Sequence, residues 1–144
     1  MNLKELSGLE IIQAIIDGKI PHPSMSETIP MKMMAAERGI VTFEVKADER
    51  HTNPMGGVHG GFAATVLDSV TGCSVHTELA PGDGYATVDL NVKMLKAIPK
   101  DALLSVEGKV LHVSKSIGVS EGFIRDSEGV LYAHATATCM IRRG

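Results

Sequence analysis

The sequence has no tryptophan, and Phe and Tyr together supply only 3% of its 144 residues. A core for such a chain has to be assembled from Val, Ile, Leu, Met and Ala. Cysteine is limited to Cys73 and Cys139, both in apolar surroundings and without ligand-type spacing. That excludes a disulfide framework and a thiolate metal site, and reads as buried free thiols in a reducing compartment. Clustered Lys and Arg are also missing, with a formal net charge of −3. Nucleic acid, which demands a basic stripe to displace counterions, is therefore not an expected partner. The longest apolar stretch, residues 58–75, holds Asp68 near its middle together with Gly, Ser and Thr. A mid-bilayer carboxylate is costly, so no membrane span is expected. The segment from Met1 to Ile20 carries acidic residues and no small-residue cleavage site after a continuous apolar run, unlike a secretory signal. A cytoplasmic protein is the expectation.

Internal repeats, low-complexity tracts and long linkers are absent as well, and the length fits one domain spanning 1–144. No His-Glu-x-x-His or similar spacing links His22, His51, His76, His112 and His134, so no metal site is expected. There is no Gly-x-Ser-x-Gly elbow, phosphate loop or dinucleotide fingerprint, which argues against a serine nucleophile and nucleotide-driven chemistry. Met31, Met33 and Met34 read as core filler.

What is present alternates between two periods. Leu6, Leu9, Ile12, Ile15 and Ile16 recur at helical spacing, and Gly18 follows as a stop, predicting an amphipathic helix over about 3–17. Residues 28–36, broken early by Pro30, and the alternating stretch 39–47 read as a pair of strands. A polar turn region over 48–57 leads to one central helix from Gly60 to about Leu79, apolar around most of its circumference and so buried on most sides. Four strands follow, over 85–96, 103–113, 117–126 and 130–141. In the first of these, strict alternation sets Ala86, Val88, Leu90, Val92 and Met94 on one face, and Thr87, Asp89, Asn91 and Lys93 on the other. In the last, Ala133, Ala135, Ala137 and Cys139 share a face that lets the sheet come close to the helix. This order predicts an α+β fold with a mainly antiparallel sheet wrapped around one helix.

Two features could carry chemistry. Asp68 lies among Val66, Leu67 and Val70, and a carboxylate in such company needs a partner, water or a purpose. It reads either as a satisfied structural carboxylate or as a functional acid. The second feature is the run Asn53-Pro-Met-Gly-Gly-Val-His59-Gly60-Gly61 leading into the helix. Helix N-termini expose free N–H groups, so Gly60 or Gly61 could serve as an oxyanion donor, or the glycines could simply permit close packing. Eight residues of helix put Gly60 and Asp68 roughly 12 Å apart. A reacting carbonyl needs donor and base each within about 3 Å, so a site using both would draw them from two subunits. The expectation is a homodimer with two equivalent sites.

Asn53, the triplet His59-Gly60-Gly61, Asp68 and the strand Ala86-Thr87-Val88-Asp89-Leu90-Asn91-Val92 together resemble the PaaI-type acyl-CoA thioesterases of the hotdog superfamily. The resemblance runs from about Met33 to Ile141 and includes the stretches 108–112, 126–129 and 133–138. It implies a hotdog fold and metal-free hydrolysis of acyl- or aryl-CoA thioesters, with coenzyme A as part of the substrate and no separate cofactor. It implies Asp68 as general base or nucleophile, and the Gly60 amide as the polariser of the thioester carbonyl. Asn53 would position water or the carbonyl, His59 would brace the loop, and Thr87 would orient water or the acid. Gly61 and Lys115 would hold the coenzyme A part, with Lys100, Arg142 and Arg143 as further candidates for its phosphates. It also implies a dimer or a homotetramer built from two dimers.

The chain departs from some relatives. Those acting on 4-hydroxybenzoyl-CoA tend to carry Gln and Glu at the positions of Asn53 and Asp68, and a hydroxyl residue one turn after the acid. Here that position is Gly72, and Ser114-Lys115 stands where many relatives have Gly-Arg. Two other readings remain open: a hotdog enoyl-CoA hydratase or dehydratase, although its His-Phe-Pro-Gly type loop is missing, and a non-catalytic acyl-CoA binding module.

Overall fold

The computed structural model describes residues 1–144. Two short helices precede the sheet: α1 (Gly8–Ile16) and the four-residue α2 (Met25–Thr28). Strands β1 (Met31–Glu37) and β2 (Ile40–Val45) form a hairpin. The long helix α3 (Gly60–His76) follows, then β3 (Gly84–Met94), β4 (Leu104–Val113), β5 (Ile117–Arg125) and β6 (Leu131–Arg142). The six strands form one antiparallel sheet in the order β1-β2-β4-β5-β6-β3. The sheet wraps α3, which is the hotdog arrangement that the resemblance implied.

The chain between β2 and β3 passes through α3 and crosses the whole sheet, so β3 lies on the edge opposite β1. Phe62, Val66, Leu67 and Val70 of α3 are buried against Val41, Phe43, Val106 and Ile124, with Ile12 and Ile15 of α1 joining the same core. The small face of β6 is buried, as its alternation predicts. Hydroxyls settle the polar groups between helix and sheet: Ser120 Oγ donates to the Thr71 carbonyl at 3.1 Å, and the Gly39 N–H donates to Thr77 Oγ1 at 2.7 Å.

Three local readings need correction. The N-terminal helix is interrupted: a 3-10 turn over Leu3–Glu5 is followed by α1, because Ser7 caps a new start in a capping box with Glu10. Residues 25–28 are helical, so the first strand begins only after Pro30. Most consequential, β3 does not alternate strictly. Its register against β6 slips between Thr87 and Asp89. Val88 is the extra residue of this bulge, and the inward face runs through Tyr85 and Thr87 before it, and through Leu90 and Val92 after it. Ala86 and Val88, which strict alternation sets on one face with Leu90 and Val92, lie on the opposite face from them, and Val88 is 57% exposed.

Candidate active site

Asp68 sits two turns into α3 on the one side of the helix not wrapped by the sheet. In the isolated chain it is exposed, which overturns the reading of a carboxylate sunk in apolar surroundings. Its neighbours Val66, Leu67 and Val70 are buried, but on the other faces of the helix. The Asp68 carboxylate joins none of the ion pairs of the chain. It borders a cavity of about 250 Å³, together with Thr87, Ser69, Cys73 and Tyr85. The bulge at Val88 is what turns Thr87 toward this cavity. The Thr87 hydroxyl lies 3.8 Å from the Cys139 sulfur.

Burial pushes the Cys73 thiol up to about 12 and raises the Tyr85 phenol above its usual range, and the nearby Asp68 charge adds to both shifts. Both groups are protonated at neutral pH, so Cys73 is no thiolate nucleophile and Asp68 is the one anion facing the cavity.

The turn before α3 is built by Asn53. Its Oδ1 accepts from the N–H groups of Met55 at 3.0 Å and Gly57 at 3.2 Å, while its backbone N–H donates to the Gly57 carbonyl at 2.7 Å. The side-chain oxygen is therefore committed to the turn, and the amide nitrogen is the group left to face a ligand. His59 is the N-cap of α3, and its Nδ1 accepts from the Gly61 N–H at 2.8 Å. A ring nitrogen that accepts this bond leaves Nε2 as the position free to donate. The bond also separates the two candidate donors. The Gly61 amide is occupied, whereas the Gly60 amide has no acceptor within the chain.

Gly60 and His59 border a second cavity, of about 280 Å³, whose walls include Met94, Ile98 and Ala133 and whose one cation is Lys96. Asp68 and Gly60 thus open onto different cavities of the same chain, as eight residues of helix require. Asp68 and Thr87 border one cavity, and His59 and Gly60 border the other with Gly61 bound to His59; Asn53 lies in the turn leading to them and lines neither cavity, and no cavity of the chain joins the two sets.

Lys115 lies in the exposed β4–β5 turn. The neighbouring Gly118 packs on Val75, so this turn is at the C-terminal end of α3, the far end from Gly60 and Gly61. Arg143 binds Asp83 at 2.8 Å and the Lys115 carbonyl at 3.0 Å, and Lys100 pairs with Glu49. The sequence reading passed over Lys96 and Tyr85. No motif distinguishes Lys96 from the other lysines, and Tyr85 is recognisable only through a bulge that strict alternation hides.

No group of three or more His, Cys, Asp or Glu side chains is placed to hold a metal ion, and no helix is long and apolar enough to cross a membrane. Comparison with known proteins gives consistent matches. The model of the Thioesterase superfamily matches residues 55–133. Human acyl-coenzyme A thioesterase 13 is 32% identical over 87 residues, 59% of this chain and 60% of that protein. The crystal structure of a phenylacetic acid degradation-related protein from Ralstonia eutropha superposes with a TM-score of 0.81 at 27% identity, covering 90% of this chain and 98% of that one. A thioesterase protein from Streptococcus pneumoniae, solved with coenzyme A, superposes with a TM-score of 0.72 at 25% identity, covering 79% of this chain and 88% of that one.

Proposed function

This chain belongs to the thioesterase superfamily, and from that premise we propose that it hydrolyses acyl- or aryl-CoA thioesters to the free acid and coenzyme A, at sites shared between two copies. The observation that carries the reading is the division of labour along α3: an amide without an acceptor at Gly60, and an unpaired carboxylate at Asp68 two turns on, each over its own cavity.

The Gly60 N–H of one copy donates to the thioester oxygen as it gains charge, adding to the partial positive charge of the helix N-terminus. Asp68 of the second copy either takes a proton from the attacking water, or attacks the carbonyl carbon itself to form a mixed anhydride that water then hydrolyses; in both cases the C–S bond breaks and coenzyme A leaves as the thiolate, which takes up the proton that water gives up. Thr87, beside Asp68, orients the water or the acid. The amide nitrogen of Asn53 positions the water or the substrate carbonyl, and His59 braces the turn that presents Gly60.

The sheet supplies the means of association. The β1 edge is partly covered: His22 Nε2 accepts from the Met33 N–H at 3.1 Å, and α1 packs beside it. The β3 edge is eleven residues long and bears the exposed Val88, with no strand beyond it. Such an edge pairs readily with another strand. Two-fold pairing of β3 with β3 would set the two α3 helices antiparallel, the N-terminus of each toward the Asp68 of the other.

Release of free thiol from short, long and aromatic CoA esters tests the reading. Asp68→Ala should reduce turnover by about 10²–10⁴-fold without changing the far-UV spectrum or the oligomeric mass. Undiminished turnover in Asp68→Ala would falsify the role of Asp68. Tight binding of the ester with no thiol released by the unmodified protein would instead mark a binding module.

A further inference from the structure

We infer that the cavity beside Asp68 receives the acyl group, and that the N-terminal segment 21–28 with β1 limits it to one aromatic ring or an unbranched chain of about eight to ten carbons. The inference rests on the hydrolase reading above and adds the orientation and class of the substrate.

Charge decides the orientation. An acyl-CoA has an apolar end and a polyanionic end. No Lys or Arg borders the cavity beside Asp68, and the one charge facing it is negative. Its walls come from Met31, Met33, Phe43 and Tyr85. The Tyr85 hydroxyl and the Cys73 thiol both stay uncharged there because burial raises them. Phosphates would be repelled from this side. The Gly60 cavity, which the other copy brings to a shared site, has Lys96 in its wall and His59 at its margin, so the pantetheine arm leads out that way.

Volume decides the size. An apolar cavity of about 150 Å³ holds benzene, roughly 25 Å³ per carbon. A cavity of about 250 Å³ then accommodates about ten carbons.

The wall that the N-terminal segment supplies is well anchored. Pro23, Met25 and Ser26 form it. His22 holds the segment to the Met33 N–H at 3.1 Å. At the other end, His51 Nδ1 accepts from the Asp48 N–H at 2.9 Å, which leaves the proton on Nε2 to donate to the Thr28 carbonyl at 2.7 Å. Arg50 also donates to the Glu27 carbonyl at 3.1 Å. The three residues of this segment, with Met31, Met33 and Phe43, all precede residue 55, where the match to the superfamily begins. The limit on the acyl group is thus set by a part of the chain outside the matched segment.

The test is a kcat/KM profile over saturated CoA esters from acetyl to stearoyl, with benzoyl-CoA alongside. The expected optimum lies at about eight to ten carbons, with palmitoyl at least roughly tenfold poorer. Met25→Trp, at a wall residue whose 47% exposure leaves room for a larger side chain, should move the optimum at least two carbons shorter. Met33→Ala should move it about three carbons longer; should that variant fold poorly, Met25→Trp still decides. Ile98→Ala, in the wall of the Gly60 cavity, should leave the optimum in place. An optimum that ignores Met25→Trp, or that shifts with Ile98→Ala, overturns the inference while leaving the hydrolase reading intact. No thiol release from any ester would remove that reading, and the inference with it.

Discussion

At the start of α3 two adjacent glycine amides share nearly the same sequence context and meet different fates. Gly61 is bound by the imidazole of its own N-cap at 2.8 Å, and Gly60 is left with an open N–H. This difference makes a substitution unusually informative. Proline is favoured at the first helical position, where its missing N–H costs the helix nothing. His59 already has the extended backbone that a following proline needs, with φ −63° and ψ 136°. Gly60→Pro should therefore keep the helix and delete only the donor, lowering kcat by about 10²–10³-fold. Gly60→Ala keeps the donor. Its new Cβ would lie 2.7 Å from Met94 Sδ, the end of a flexible side chain that can move aside. Kinetics of the two variants side by side separate the amide from the shape of the turn: equal losses in both would mean that the amide does no chemistry. The sequence could nominate both glycines because both open the helix. Residue types alone could not choose between them, and only the family resemblance singled out Gly60, since the choice depends on which way one imidazole rotates.

Asp68 shows a different limit of the sequence. Its neighbours in the chain are apolar and buried, yet consecutive helix positions point in different directions, and Asp68 takes the direction that the sheet leaves open. The same holds on a larger scale for β3. A period of two is legible over the whole strand, but a single extra residue at Val88 reverses the faces on one side of it, and no residue type in the sequence announces the slip. The result is that Thr87 joins Asp68, whereas Val88 lies on the outside of the edge strand. The close approach of helix to sheet was more legible, because small side chains on β6 imply it. It is closest at β4, where a Cβ on Gly108 would lie 2.2 Å from the Val70 carbonyl oxygen. Backbone cannot swing aside as a methionine tip can, so α3 would have to lift off the sheet. Gly108→Ala should cost about 3 kcal/mol, at the upper end of overpacking effects, and lower the urea midpoint with little change in m. A midpoint within error of the unmodified protein would mean that α3 has room to move, and that its placement of Asp68 and Gly60 is looser than described.

For the whole molecule, the separation of Asp68 and Gly60 on one rigid helix turns a catalytic question into one about assembly. A single copy can present the acid to one cavity and the amide to the other, but cannot bring both to one carbonyl. If two copies share each site, two inactive variants can repair one another. Asp68→Ala retains a sound Gly60 amide, and Gly60→Pro retains a sound carboxylate. After co-refolding in equal amounts, half of the dimers are mixed, and in each of these one site has received both intact groups while the other has received neither. Activity should return to about one quarter of the wild-type level, although each variant alone is nearly dead. The same mixture should show no recovery when subunit exchange is blocked by cross-linking each variant beforehand. Recovery fails under any arrangement that places both groups of a site on the same chain, because every mixed dimer then contains only damaged sites. Co-refolding therefore distinguishes a shared site from a self-contained one without requiring a structure of the assembly.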